Sequence, residues 1–188
     1  MTALAERTAL LGDAVAWTAT TLPAAAVAAP DLPTPCDGWT LVDLLLHMDD
    51  ALEAFHEASG GHVSPPVPRH PATPAALVER LRFSACRLLE AWSRPVPASV
   101  RVGEMPLPTS LLLDAAALEI AVHGWDLAVA TGGPRLPESL AGRLLPVLDA
   151  VVDCGDVGPG RRFALPVPTP PAAPLDVVLL ARLGRHAR

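Results

Sequence analysis

Glu119 and His123 stand four residues apart in the run Glu119-Ile-Ala-Val-His-Gly-Trp-Asp126. On a helix, that spacing puts a carboxylate and an imidazole on one face, one turn apart. Such a pair can supply two legs of a metal site, and a third must come from another element. His47 is the candidate, because it lies among Leu44, Leu45 and Met48 in an amphipathic pattern, where an unpartnered polar ring would be costly. Two imidazole nitrogens and one carboxylate oxygen leave a cation an open coordination position for water or substrate, the arrangement of catalytic sites. Taken alone, the Glu-x-x-x-His pair reads first as a plain helix-surface interaction; adding His47 makes a metal centre an equal alternative.

The elements that must position these residues are helices. Leu4 to Leu22 carries Leu4, Leu11, Val15 and Thr18 on one face, with Pro23 as its expected stop. Thr40 and Asp43 form a capping-box pattern ahead of Leu41, Leu44, Leu45, Met48, Leu52 and Phe55, so a second helix carries His47 as far as Gly60-Gly61. Gly60 to Pro74 reads as an irregular surface connection, and Thr73-Pro74 opens a third helix through about Trp92. Ser99 to Met105, bracketed by prolines, reads as a short extended segment and not as a sheet. Thr109 is expected to cap a fourth helix, Ser110 to Ala130, which carries Glu119 and His123 and ends at Thr131-Gly132-Gly133-Pro134. A fifth helix is expected from Pro137 to Val152, and a last short one from Leu175 to Leu183 after a Gly-, Pro- and Arg-rich stretch. The pattern predicts an all-α protein, a single domain over 1–188 with a core bundle over about 1–153 and a tail over about 154–188.

Composition narrows the partners. With 188 residues, 51% hydrophobic and 18% charged, the chain can bury an ordinary core. A net charge of −6 argues against nucleic acid, which calls for a concentrated basic surface. There is no basic-then-apolar leader at the N-terminus and no run of about 18 apolar residues, so neither a signal peptide nor a membrane span is expected. Cys36, Cys86 and Cys154 are odd in number and widely spaced, which supports neither a disulfide framework nor a CxxC zinc site. The expectation is a cytoplasmic protein, monomer or homodimer, acting on a small molecule.

Two stretches carry a family resemblance. Thr34-Pro-Cys-Asp-Gly-Trp39-Thr-Leu-Val-Asp43-Leu-Leu-Leu-His47 resembles the PCxGWxVxDLxxH segment of the DinB-like, mycothiol-dependent maleylpyruvate isomerase N-terminal-domain superfamily. Glu119 to Gly132 is similar to its ExxxHGWDLAxATG signature, and the end, from Phe163 to Arg185, resembles the tail of an actinobacterial metal-binding subgroup. The resemblance implies a DinB-like four-helix bundle with a short C-terminal appendage. It also implies a divalent metal, zinc first and nickel or iron as alternatives, held by His47, Glu119 and His123, with mycothiol as a possible cosubstrate bound as a thiolate.

Around those three residues, Asp126, Asp43 and Asp50 are candidates to orient a ligating imidazole through its free ring nitrogen. Asp126 could instead cap a turn, and Asp43 has the competing role in the capping box. Trp39 and Trp125 are expected to pack near the site, Cys36 to be a packing residue, and Cys86 and Cys154 to be buried small hydrophobes. His56, His62, His70 and His186 read as surface residues. Arg69, Arg80, Arg82, Arg87 and Arg101 cannot be ranked as pocket residues. Three functions stay open: a metal-dependent thiol transferase or isomerase acting on a small electrophile, a thiol-free metal-dependent cyclase, hydrolase or isomerase, or a non-enzymatic binder of small molecules.

Overall fold

The computed structural model describes residues 3–64, 72–152 and 164–186; Arg69, His70 and Cys154 lie outside them. Its elements in chain order are α1 (Ala3–Ala19), α2 (Leu22–Ala26), α3 (Leu41–Ala58), β1 (His62–Val63), α4 (Pro74–Trp92), β2 (Ser99–Val102), β3 (Met105–Pro108), α5 (Thr109–Thr131), α6 (Glu138–Val151) and α7 (Leu175–Arg182). Among the described residues, no helix is long and apolar enough to cross a membrane.

The four long helices α1, α3, α4 and α5 make the bundle: α1 packs on α5, α3 on α4, and α3 also on α5. They belong to a compact unit, Met1–Pro134, while α6 packs with α7 in a second unit, Arg135–Arg188. The second unit is tied internally by Arg135, whose guanidinium lies 2.9 Å from the buried Asp176 carboxylate, and by the Val167 N–H donating to the Ala181 carbonyl.

Local chemistry sets the helix bounds. Thr40 caps α3 by accepting from the Asp43 N–H at 3.3 Å, and the Asp43 carboxylate accepts from the Thr40 N–H at 2.9 Å. The Thr40 hydroxyl, 2.6 Å from the same carboxylate, and then the Thr40 N–H hold the Asp43 carboxyl below its usual range, and a cap of this kind is worth about 1 kcal/mol. Thr73 caps α4 in the same way, accepting from the Ala76 N–H, and Gly132 closes α5 in the left-handed conformation at φ 71°.

Three expectations are corrected. Pro23 does not stop α1, which ends at Ala19; it occupies the first turn of the short α2, where its missing N–H has no bond to lose. Thr109 does not cap α5 but is its first residue, and its hydroxyl donates to the Pro97 carbonyl at 2.5 Å. The extended segment is part of a sheet after all. β2 pairs antiparallel with β3, and β1, drawn from the stretch read as irregular, lies parallel to β2 with His62 opposite Arg101. The hairpin turns at Gly103-Glu104, with Gly103 at φ 58°, as a two-residue turn with glycine first requires.

α5 is buried on nearly every face, which explains why its sequence is almost continuously apolar. It packs against α1 at Gly124. A Cβ built there would lie 2.3 Å from Thr18 Oγ1 and 2.9 Å from the Trp17 ring, and Thr18 Oγ1 donates to the Ile120 carbonyl at 2.9 Å. The Thr18 and Trp17 side chains of α1 thus seat directly against the backbone of the helix that carries the acidic and imidazole pair.

Candidate metal centre

α3 and α5 bring together His47, Glu119 and His123. His47 Nε2 is 2.7 Å from Glu119 Oε1 and His123 Nε2 is 3.2 Å from the same oxygen. The two imidazole rings meet edge to face, with centroids 4.7 Å apart. One ligand atom from each of the three residues lies within 4.8 Å of the others. His47 is the most open of the three, with 37% of its side chain exposed, against 28% for Glu119 and 12% for His123.

Asp126, wholly buried, fixes the orientation of His123. Its Oδ2 lies 2.9 Å from His123 Nδ1, so Nδ1 donates its proton to the carboxylate and Nε2 is turned toward Glu119. The Cys36 thiol donates to the same carboxylate oxygen at 3.3 Å, with Sγ 3.9 Å from His123 Nδ1. Trp39 completes the wall: its ring stacks on His123 at 6.1 Å between centroids and meets the edge of His47 at 4.9 Å. Burial by itself would raise the Glu119 carboxyl, yet hydrogen bonds from His123 and His47 and their charges outweigh it and hold the group well below the carboxylate range. Burial likewise disfavours the charged form of His123, but its bonds to Asp126, Cys36 and Glu119 and the Glu119 charge raise it well above the ordinary imidazole value.

The remaining candidates separate. Asp43 serves the cap of α3, and Asp50 is in neither of the two clusters of potential ligand atoms, His47 with Glu119 and His123, and Cys36 with His123 and Asp126. Cys36, expected to pack, instead bonds to the residue that orients His123. No local signal could have found it, because Cys36 and Asp126 are 90 positions apart. His56 is not a plain surface residue: it is half-buried, with Nδ1 3.3 Å from Arg87 Nη2. His62 and His186 are exposed, and Trp125 is buried. Cys86 is exposed and not a core residue. Arg80 is bonded to Asp49 at 3.0 Å, Arg87 to Glu53 at 3.2 Å and Arg101 to Glu104 at 3.0 Å.

Beside Glu119 and His123 opens a cavity of about 340 Å³, walled mainly by aliphatic side chains such as Val15, Leu22, Leu52, Leu81, Leu89 and Ile120. Arg82 and Cys86 also face it.

The donor chemistry fits a divalent cation. Two imidazole Nε2 atoms and a carboxylate oxygen converge on one small volume, one imidazole is backed by a carboxylate at its other nitrogen, and a charged Glu119 supplies a negative ligand. The same three atoms that share protons with one another could share a metal ion.

The family model of the mycothiol maleylpyruvate isomerase N-terminal domain matches residues 11–128. The chain belongs to that family. The matched span covers Cys36, His47, Glu119, His123 and Asp126. Uncharacterized proteins from two strains of Mycobacterium tuberculosis are each 31% identical to this chain over 159 residues, 83% of this chain and 85% of the relative. Among solved structures, the bundle is similar to the crystal structure of the mycothiol-dependent maleylpyruvate isomerase, with a TM-score of 0.55 and 22% identity, covering 76% of this chain and 67% of that one. A histidine-to-alanine mutant of the mycothiol-dependent maleylpyruvate isomerase gives a TM-score of 0.54 at 20% identity over the same shares. At that identity these likenesses establish a shared DinB-like helical fold.

Proposed function

We propose that His47, Glu119 and His123 hold a divalent cation, zinc in the first instance, and that the protein is a mycothiol-related transferase or isomerase acting on a small electrophile. The observation that supports this most is the convergence of three donors on one point, with His123 anchored by a buried carboxylate, at the wall of an apolar cavity. Once bound there, a divalent cation would supply the Lewis acidity that lowers a thiol's pKa, making a thiolate available at neutral pH without a dedicated base.

The chain's own residues do the rest. Asp126 keeps His123 in the tautomer that presents Nε2, and the Cys36 thiol holds Asp126 in place. Trp39 packs against both imidazoles and holds their rings in place. The overall change is balanced: S–H and C=C become C–S and C–H in an addition, or S–H and C–X become C–S and H–X in a displacement.

Metal analysis of the purified chain tests the site. We expect close to one zinc per chain, and a strong fall in occupancy in each of His47→Ala, Glu119→Ala and His123→Ala, because removing one of three protein ligands leaves an incomplete shell. Full occupancy in all three variants would overturn the ligand set. The thiol is tested on cobalt-substituted protein, whose visible spectrum should change on adding mycothiol. An unchanged spectrum would favour a thiol-free metal enzyme instead.

A further inference from the structure

The cavity beside Glu119 and His123 is walled almost wholly by apolar groups. Its lining is drawn from α1, α2, α3, α4 and α5 and is aliphatic except at a few points. Of those, the Thr18 hydroxyl is already engaged with the Ile120 carbonyl. Arg82, the arginine on the wall, is paired with Glu79 at 2.7 Å. Away from the wall of Glu119 and His123, a carboxylate entering this space would lose its water among aliphatic side chains, with Arg82, already shared with Glu79, as the charged donor of the described lining. An alkyl or aryl group loses nothing by entering and removes apolar surface from water.

We propose that this cavity binds the body of the second substrate, and that the substrate class is an uncharged electrophile bearing an alkyl or aryl group, its reactive carbon turned toward the wall formed by Glu119 and His123. The reactive group rests on the thiol-transfer reading; the apolar body rests on the cavity alone. The size agrees: a dry cavity of about 150 Å³ lined by Leu, Ile and Phe already takes benzene, and the space here, about 340 Å³, is more than twice that. It also falls within the range of small-molecule pockets, roughly 300–1,000 Å³.

The test is a binding titration of the full-length chain with unreactive probes, 1-alkanols from butanol to octanol and linear dicarboxylates of equal carbon number. Alkanol affinity should rise about threefold to fourfold per methylene, and each dicarboxylate should bind roughly tenfold more weakly than its alkanol, or worse. Ala85→Trp, which fills the cavity from α4, should weaken octanol binding by about tenfold with metal content unchanged. Ala51→Leu, a smaller intrusion from α3, gives the same reading in a milder form should the tryptophan variant fail to fold. No dependence on methylene count, dicarboxylates binding as tightly as alkanols, or folded filling variants with unaltered affinity would each overturn the assignment. Alkanol binding by protein that yields no mycothiol-dependent product would remove the thiol-transfer reading and leave the apolar cavity standing. Mycothiol-dependent turnover confined to dicarboxylate electrophiles would do the reverse.

Discussion

Asp126 decides which nitrogen of His123 faces Glu119, and it does so from a position with no solvent exposure. Loss of a carboxylate behind a ligating imidazole typically weakens metal affinity about 10- to 100-fold. Asp126→Asn should therefore lower zinc affinity by about tenfold or more in a chelator competition, and unchanged affinity would remove Asp126 from the site's support. Protonation gives a second check on the metal-free chain. Glu119 is depressed from 4.5, so its contribution to stability is present above that value and lost as pH falls below it toward the folded value. His123 is raised above 6.5, so its contribution is complete below 6.5 and lost as pH rises through the higher folded value. The stability difference between metal-free wild type and Glu119→Gln should therefore be greatest between about pH 4.5 and 6.5. A difference that is flat with pH, read from urea midpoints across the range, would contradict the coupling. The helical spacing of Glu119, His123 and Asp126 made these three legible in the sequence, since neighbouring turns of α5 carry them all. Cys36 was not legible, because its partner is fixed by how the segment before α3 lies against α5 and not by any local period.

Between α1 and α5 the spacing is set by Gly124, whose absent side chain leaves room for Thr18 and Trp17. Gly124→Ala should destabilise the protein by about 1–3 kcal/mol through overpacking. Gly12, in the middle of α1, is the opposite case, since nothing lies within 4 Å of the place its methyl would take in an alanine. Gly12→Ala should stabilise by about 0.4–1 kcal/mol, because the added methyl meets no atom and the unfolded chain loses freedom. Thermal or urea unfolding of the two variants should give shifts of opposite sign; a Gly124→Ala protein as stable as the wild type would mean that Thr18 and Trp17 do not press on α5 at that glycine. The long helices were readable because each carries a cap or a breaker as well as a period. The sheet was not, because strands of two to four residues interrupted by Pro106 and Pro108 show too little alternation. Its one usable signal was the Gly103-Glu104 pair of the hairpin turn. α2 was missed for a related reason: Pro23 ends a helix when read from the left and begins one when read from the right.

At the scale of the molecule, every described residue of the site and its cavity lies within the unit Met1–Pro134. The helical class was legible from the sequence because the period of the apolar residues persists over four long segments. The grouping of α6 with α7 was not, since periodicity marks a helix but not the neighbour it packs on. If the proposed cation binds the folded chain alone, zinc at about 100 times its dissociation constant should stabilise the protein by about 2.7 kcal/mol, which calorimetric melts with and without chelator would measure. No rise in the melting temperature would mean that the chain does not hold zinc in its folded form. His47 and Glu119 stand 72 positions apart, so an ion shared between them would close most of the bundle's chain into a loop, as a reversible cross-link does. The metal would then act as a staple as well as a reagent, and a cell short of zinc would lose part of this protein's resistance to unfolding and proteolysis along with its chemistry.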